Sequence, residues 1–323
     1  MLQTGGAGLG GTIRLRAMGS AEPLTLTDRG APQPLQVSFS SGGETITDRA
    51  HPSRWLMELA ASYERAIGGG MTVSLYGAAI GEPALGPPVY LHRASAVANS
   101  AVPLGHHSQD VTHSSFGVVT AGVTRGAVQL EFSAFNDRQP EEPGTVFYYD
   151  GARLDSYAAR ATVATKGGSR LSGFYGYLPA AGGGHDHGAL HRFGAALTHD
   201  GRPWSFSLVY SANDPLGGTP RAHTVLLEGA RHWSAGHVLF ARAEYVQRTD
   251  EELALIGSVN PLQDVEALQV GYAASIGGGG VAGTQFRVGG YTTVNLVPPQ
   301  LGQFYGTRAP VTLTGFGQLS WAQ

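Results

Sequence analysis

The sequence predicts an all-β fold, an antiparallel transmembrane β-barrel of about 14–16 strands with short periplasmic turns and long external loops. Three observations predict it. Apolar and polar residues alternate with a period of two through most of the chain. The alternating segments come in pairs joined by short, mostly glycine-bearing turns. Longer polar loops separate the pairs.

The elements follow in order. In GTIRLRAM, Ile13, Leu15 and Ala17 oppose Thr12, Arg14, Arg16 and Met18. In WLMELAASYE, Trp55, Met57, Leu59, Ala61 and Tyr63 oppose Glu58, Ala60, Ser62 and Glu64. In AVQLEFSAF, Val128, Leu130, Phe132 and Ala134 oppose Gln129, Glu131 and Ser133. In RPWSFSLVYS, Trp204, Phe206, Leu208 and Tyr210 oppose Ser205 and Ser207. In GHVLFARAEYV, Leu239, Ala241, Ala243 and Tyr245 oppose Arg242 and Glu244. Hairpins are predicted for 55–67 with 71–80, 114–123 with 127–135, 153–165 with 169–178, 189–198 with 203–211, 223–233 with 237–248, and 265–276 with 282–294. Between them lie loops 136–152, 179–188, 212–222, 249–264, 295–308 and, longest, 81–113. A soluble sandwich shares the alternation, but here one face is small and polar in nearly every strand. The other face must then meet lipid, which a closed, edgeless barrel tolerates. Trp55, Tyr63, Tyr177, Trp204, Tyr210, Trp233, Tyr245, Tyr291 and Trp321 lie near strand ends and read as interfacial girdles.

Residues 11–19 open the strand count and 309–321 close it, for about fourteen strands. Gly8, Gly10 and Gly11 read as a short turn with almost no strand before it. A first hairpin and a signal peptide are therefore expected upstream, giving about sixteen strands in all; a complete barrel of about fourteen whose leader has been removed is the alternative. Residues 1–323 read as a single barrel domain.

Composition narrows the function. With 48 Gly but no Gly-X-Y period the chain is not collagen-like, and 42% hydrophobic residues exclude a disordered tail. A net charge of −3 gives no nucleic-acid footprint. The chain has no cysteine, which removes disulfides, thiolate zinc ligands and a thiol nucleophile.

The segments DRAHP (48–52), MELAASY (57–63), GEPALGPPVYLHR (81–93), PLGHHSQDVTH (103–113), FGVVTAGV (116–123), SAFNDRQPEE (133–142) and RLDSYAAR (153–160) resemble a family of uncharacterised proteobacterial outer-membrane proteins. The resemblance covers nearly the whole chain and is densest from about 48 to 160. It implies a bacterial outer-membrane location and a link to heavy-metal resistance, and it carries no catalytic residue. Members have a longer N-terminus, often rich in His and Met. Where the family pattern reads His-Pro-His-Asp, this chain has His51-Pro52-Ser53-Arg54, which weakens a metal site there.

Loop 81–113 exceeds the ~12–15 residues of an ordinary connector. Its mild composition suits a segment that folds into the lumen and narrows it. On a helical turn His106, Asp110 and His113 would share a face, and His51, His92 and His107 complete a candidate set for a transition metal such as Cu or Zn. The competing reading has His92, His106, His107 and His113 pinning the loop to the wall by hydrogen bonds. A second group, His185, His187 and His191, reads as a solvated loop tip. The polar strand face supplies lumen charges of both signs: Arg14, Arg16, Arg160, Arg242 and Arg287 against Glu58, Glu64, Glu131, Glu228 and Glu244. Arg–Glu pairs on the wall would brace it, Arg242 with Glu244 among them. The external loops read as acidic, through Asp137, Glu141, Glu142, Asp250, Glu251 and Glu252.

The expected function is a porin-like channel or binding barrel for a small solute, with a metal ion as the leading solute. The implied partners are outer-membrane lipid and that solute, with no nucleic acid. A plugged or structural barrel is the alternative, and an outer-membrane enzyme the third. Ser114 and Ser115 beside His113 mimic a nucleophile and base, but neighbours on a strand point to opposite faces, so the chain is expected not to be an enzyme.

Overall fold

A computed structural model describes residues 2–19, 31–35, 47–48, 55–109, 115–138, 153–180, 188–218, 220–234, 236–250, 252–253, 255, 262–278 and 284–321. Its strands are β1 (Leu2–Gly8), β2 (Gly11–Gly19), β3 (Ala31–Pro34), β4 (Thr47–Asp48), β5 (Leu56–Gly68), β6 (Met71–Ile80), β7 (Phe116–Arg125), β8 (Val128–Asn136), β9 (Ser156–Ala164), β10 (Ser169–Leu178), β11 (Leu190–His199), β12 (Trp204–Pro215), β13 (Ala222–Ser234), β14 (His237–Thr249), β15 (Leu262–Gly278), β16 (Thr284–Leu296) and β17 (Val311–Trp321). β3 and β4 pair with each other, and the rest form one 15-stranded sheet ordered β1-β2-β5-β6 and then consecutively to β17. Every pairing is antiparallel between sequence neighbours in that order, as the predicted hairpins require.

The short turns have the local chemistry expected of them. Gly68, Gly69 and Gly70 take φ of 94°, 60° and 70°, a left-handed run that a side chain resists. One expectation needs correcting. The partner of residues 11–19 is present: Leu2–Gly8 pairs with β2 from Leu2↔Ala17 to Gly8↔Gly11. Its sequence, LQTGGAG, pairs through the backbone and shows almost no apolar alternation, so the pattern reading passed over it.

The two faces of the sheet are inverted relative to a water-soluble core. In β12, Ser205, Ser207 and Ser211 are buried, while Trp204, Phe206, Leu208 and Tyr210 are exposed. Phe132 is 62% exposed and Leu313 84%. A continuous outward apolar face over polar inward positions is stable only with lipid outside.

The sheet curls around segment 81–109. Ser95 Oγ lies 2.7 Å from Ser207 Oγ on β12, while Val97 O accepts from Gln318 Nε2 on β17 at 3.1 Å. Two residues reach roughly 7 Å along the chain, whereas β12 and β17 in a flat sheet lie roughly 24 Å apart. The wall must therefore bend around the segment. The protein is an all-β outer-membrane barrel with one loop folded into its lumen.

Candidate functional site: the lumen and its inserted segment

Segment 81–109 enters after β6 and is held first by a polar knot at its root. The Glu82 N–H donates to Tyr76 Oη at 3.1 Å, and Tyr76 Oη donates to Glu58 Oε1 at 2.9 Å. Arg16 Nη2 meets the same Glu58 oxygen at 2.8 Å. Glu82 Oε1 accepts the Val89 N–H at 3.2 Å and faces His92 Nδ1 at 3.2 Å. Burial pushes the Glu82 carboxyl up, but the His92 hydrogen bond and charge, then Arg16, outweigh it and hold it below the usual carboxylate range. Burial likewise pushes the His92 imidazole down, and Glu82 overcomes it and raises it. The two shifts describe one ion pair.

Beyond the root, Leu85 packs into an apolar cluster of Val118, Phe135, Phe174, Leu178 and Leu190. Gly176 makes room for it: a Cβ there would sit 2.8 Å from Leu85 Cδ1. The wall then grips the segment's backbone. The Ala84 N–H donates to Ser133 Oγ at 2.7 Å, and Arg160 Nη1 donates to Gly86 O at 3.0 Å. Ser205 Oγ donates to Ala94 O at 3.1 Å, and Arg242 Nη1 to Ala101 O at 2.9 Å. Arg248 donates to Leu104 O, and Arg192 Nη2 to His107 O at 2.8 Å. Glu244 Oε2 accepts the Gly105 N–H at 3.1 Å. At the centre Arg93 Nε meets Glu228 Oε1 at 2.7 Å, with Arg242 Nη2 on the other oxygen at 3.0 Å, all three residues buried.

The inward charges divide into two groups. Arg14–Glu64 (2.8 Å), Arg16–Glu58 (2.8 Å) and Arg160–Glu131 (2.8 Å) are cross-strand pairs, and Arg287 Nη1 donates to Gln318 Oε1 at 3.0 Å. Arg242 pairs with Glu228 across the β13–β14 ladder, not with Glu244 on its own strand, because strand neighbours two apart face the same way but lie farther than a direct cross-strand partner. Glu244 serves the segment instead.

The histidines separate. His92 is in the root knot, and His106 and His107 lie on the one-turn helix His106–Gln109, their ring centroids 3.8 Å apart, with His106 5.7 Å from Tyr90. His51, Asp110 and His113, like His185 and His187, lie outside the described residues. Among the described residues no three His, Asp or Glu side chains converge as metal ligands. His191 faces outward, with its Nδ1 2.7 Å from Tyr175 Oη.

Three further readings are corrected. Tyr291 faces the lumen against Phe316 and is not part of the girdle. Met57 is buried beside an irregularity in the β2–β5 register, which interrupts the alternation there. Asp137 is buried at the rim and not free in an acidic loop: it accepts Ser156 Oγ at 2.8 Å and the Ala180 N–H at 3.3 Å, and burial pushes its carboxyl up. Glu252 is likewise engaged, with Arg248 and the Thr249 N–H, while Glu141, Glu142 and Glu251 lie outside the described residues. The sequence reading missed Arg93, Ser95, Asn99, Arg192 and Arg248. The signal that was available is the LHR arginine, one of few charges in an otherwise mild loop.

No protein-family model matches the chain, and no curated protein does. Among solved structures, Salmonella typhi OmpF in complex with daunomycin is 8% identical, covers 81% of this chain and 91% of its own, and has a TM-score of 0.48. The outer-membrane channel DcaP of Acinetobacter baumannii is 12% identical, with 81% and 84% coverage and a TM-score of 0.43. The anion-selective porin from Comamonas acidovorans is 11% identical, with 81% and 86% coverage and a TM-score of 0.40. These are similarities of overall shape, and the chemistry of the lumen is read from this chain's own residues.

Proposed function

We propose that this barrel is a porin-like channel through which a small solute diffuses past a constriction made by segment 81–109. The observation that carries the reading is the way the wall holds that segment. Wall arginines, serines, carboxylates and a glutamine from β8 to β17 bond its backbone and side chains along its length. Such a hold fixes how far the segment narrows the lumen, and in a channel selectivity follows from what lines the passage beside it. The catalytic reading gains nothing from Ser115, which is fully buried. A transition-metal ion as the solute rests on His106 and His107, with Asp110 and His113 adjoining them in sequence.

The test is single-channel conductance in a planar bilayer, with Cu²⁺ or Zn²⁺ added from either side. The channel reading expects steady conductance from folded protein. Block by metal in the parent, absent from a His106→Ala/His107→Ala variant, would make this a channel whose constriction binds metal. Conductance indifferent to both would leave the histidines to pin the segment. Silence from a demonstrably folded barrel would overturn the channel and leave a plugged one.

A further inference from the structure

The inserted segment leaves one sector of the lumen wall wet. Its bonds to the wall run from β8 to β17, and beneath it the inward side chains Ser207, Ser211 and Glu228 of β12 and β13 are buried. On β2, β5 and β6, below the root knot, the inward positions follow the same period of two but stay within reach of solvent: Thr12, Arg14, Ser62, Glu64 and Ser74. Two ladders set them side by side, with Arg14 opposite Ser62 and Glu64 opposite both Thr12 and Ser74. The water of the lumen therefore lies along this sector.

The segment turns a different surface to that water. Leu91 is 40% exposed and Val97 45%, and the local structure puts them there. Leu91 lies in the short turn Tyr90–His92, whose other two side chains are taken up by the protein: Tyr90 is buried and His92 meets Glu82. Val97 stands between Ala96 and Ala98, both buried, and Ala98 packs on Ala230, Val238 and Phe240 of the wall. Pro88 and Ser100 are the only other exposed residues of segment 81–109. Its charged side chains are engaged elsewhere, Glu82 in the root knot and Arg93 on Glu228. The exposed side of the segment is thus uncharged and mainly aliphatic, in a lumen whose wet wall carries hydroxyls and both signs of charge.

We infer that the solute's path runs between these two surfaces, and that Leu91 and Val97 make it selective for small amphipathic organic solutes, with a polar head and a hydrocarbon flank. The inference rests on the channel reading above. The wall of β2, β5 and β6 donates, accepts and offers both charges, so it discriminates little between polar heads. The two aliphatic side chains offer a contact that grows with the apolar area removed from water, which an apolar group gains and a small hydrated ion does not.

The chain has no cysteine, so a single introduced thiol reports on its own surroundings. In the folded, detergent-solubilised barrel a small water-soluble thiol reagent is expected to label Ser62→Cys and to spare Ser207→Cys. Leucine should slow the labelling of Ser62→Cys, and adding Leu91→Ser/Val97→Ser should abolish that protection. In planar bilayers the parent's ion current should fall saturably with leucine, at a concentration about tenfold below that for glycine, since the two probes share a head and differ by one hydrocarbon side chain. In Leu91→Ser/Val97→Ser the two concentrations should converge. Equal labelling of Ser62→Cys and Ser207→Cys overturns the path. A leucine preference missing from the parent, or retained in the double variant, overturns the role of Leu91 and Val97 while the channel stands. A silent barrel in which leucine protects Ser62→Cys, and ceases to in the double variant, keeps the two-sided surface and removes conduction. A silent barrel without that protection overturns both.

Discussion

Two sectors of the wall carry the same residue types and do different work. On β13–β14, Glu228 and Arg242 face each other directly in the ladder, and both are shut away from solvent beneath the inserted segment. On β2–β5, Arg14 and Glu64 meet at 2.8 Å with side chains 37% and 44% exposed. The difference teaches that an inward Arg–Glu pair is not one kind of interaction. In the covered sector the pair has lost its water and recruits Arg93 and Ser95 from the segment to complete it. In the open sector water completes it, and the pair merely braces two strands.

The largest effect expected from this contrast is at Glu228. Glu228→Gln keeps the shape but leaves Arg93 and Arg242 buried without their counter-charge. Breaking a buried pair in this way destabilises by about 3–5 kcal/mol. The denaturant midpoint of the folded barrel should fall accordingly. Protease should also gain access to the segment around Arg93 while the rest of the barrel stays protected. An unchanged midpoint would erase the distinction between the two sectors.

The root knot sharpens the comparison, because it is a covered site whose charge depends on pH. His92 faces Glu82, with Glu58, Arg16 and the Tyr76 hydroxyl packed around them. Its raised imidazole gives stability that is fully present below the unfolded value of about 6.5 and is lost as pH rises through the folded value. The lowered Glu82 carboxyl gives stability present above about 4.5 and lost as pH falls through its folded value. The knot is therefore tightest between about 4.5 and 6.5. Hydrogen-exchange protection of the Val89 amide, which donates to Glu82, should fall as pH is raised from about 6 to about 8 once intrinsic exchange is corrected for. In His92→Gln that dependence should vanish, and protection rising with pH would contradict the assigned pair.

The architecture was legible because a lipid-facing barrel writes its alternation into every strand. All fourteen strands that alternate visibly are present. In the 15-stranded sheet the strand that does not, Leu2–Gly8, is glycine-rich and holds its place by backbone bonds to β2; the short β3–β4 pair was not anticipated either. The inward direction of Arg14, Glu131 and Arg242 followed from the same period of two. The entry of residues 81–109 into the lumen followed from the length and mild composition of loop 81–113. Its anchors were not legible. Arg93 meets Glu228 across 135 positions, and Asn99 meets Gln269 across 170, and no local pattern encodes such a meeting. Asp137 was misread for a related reason: a carboxylate in an acidic stretch looks solvated until a serine and a backbone N–H are seen to enclose it.

The smallest effect belongs to the open sector. Glu64→Gln removes a pair whose two side chains both remain wet, with Tyr63 next door held separately by its bond to Leu9 O. Exposed ion pairs contribute about 0–1 kcal/mol, and less as salt screens them. The midpoint should barely move, and the small difference from the parent should shrink further in high salt. The same salt increase should leave the Glu228→Gln deficit nearly intact, since counter-ions cannot reach a dry triad. A salt-sensitive loss at Glu228 matching that at Glu64 would mean that water reaches both sectors. Segment 81–109 would then lie against the wall without sealing it.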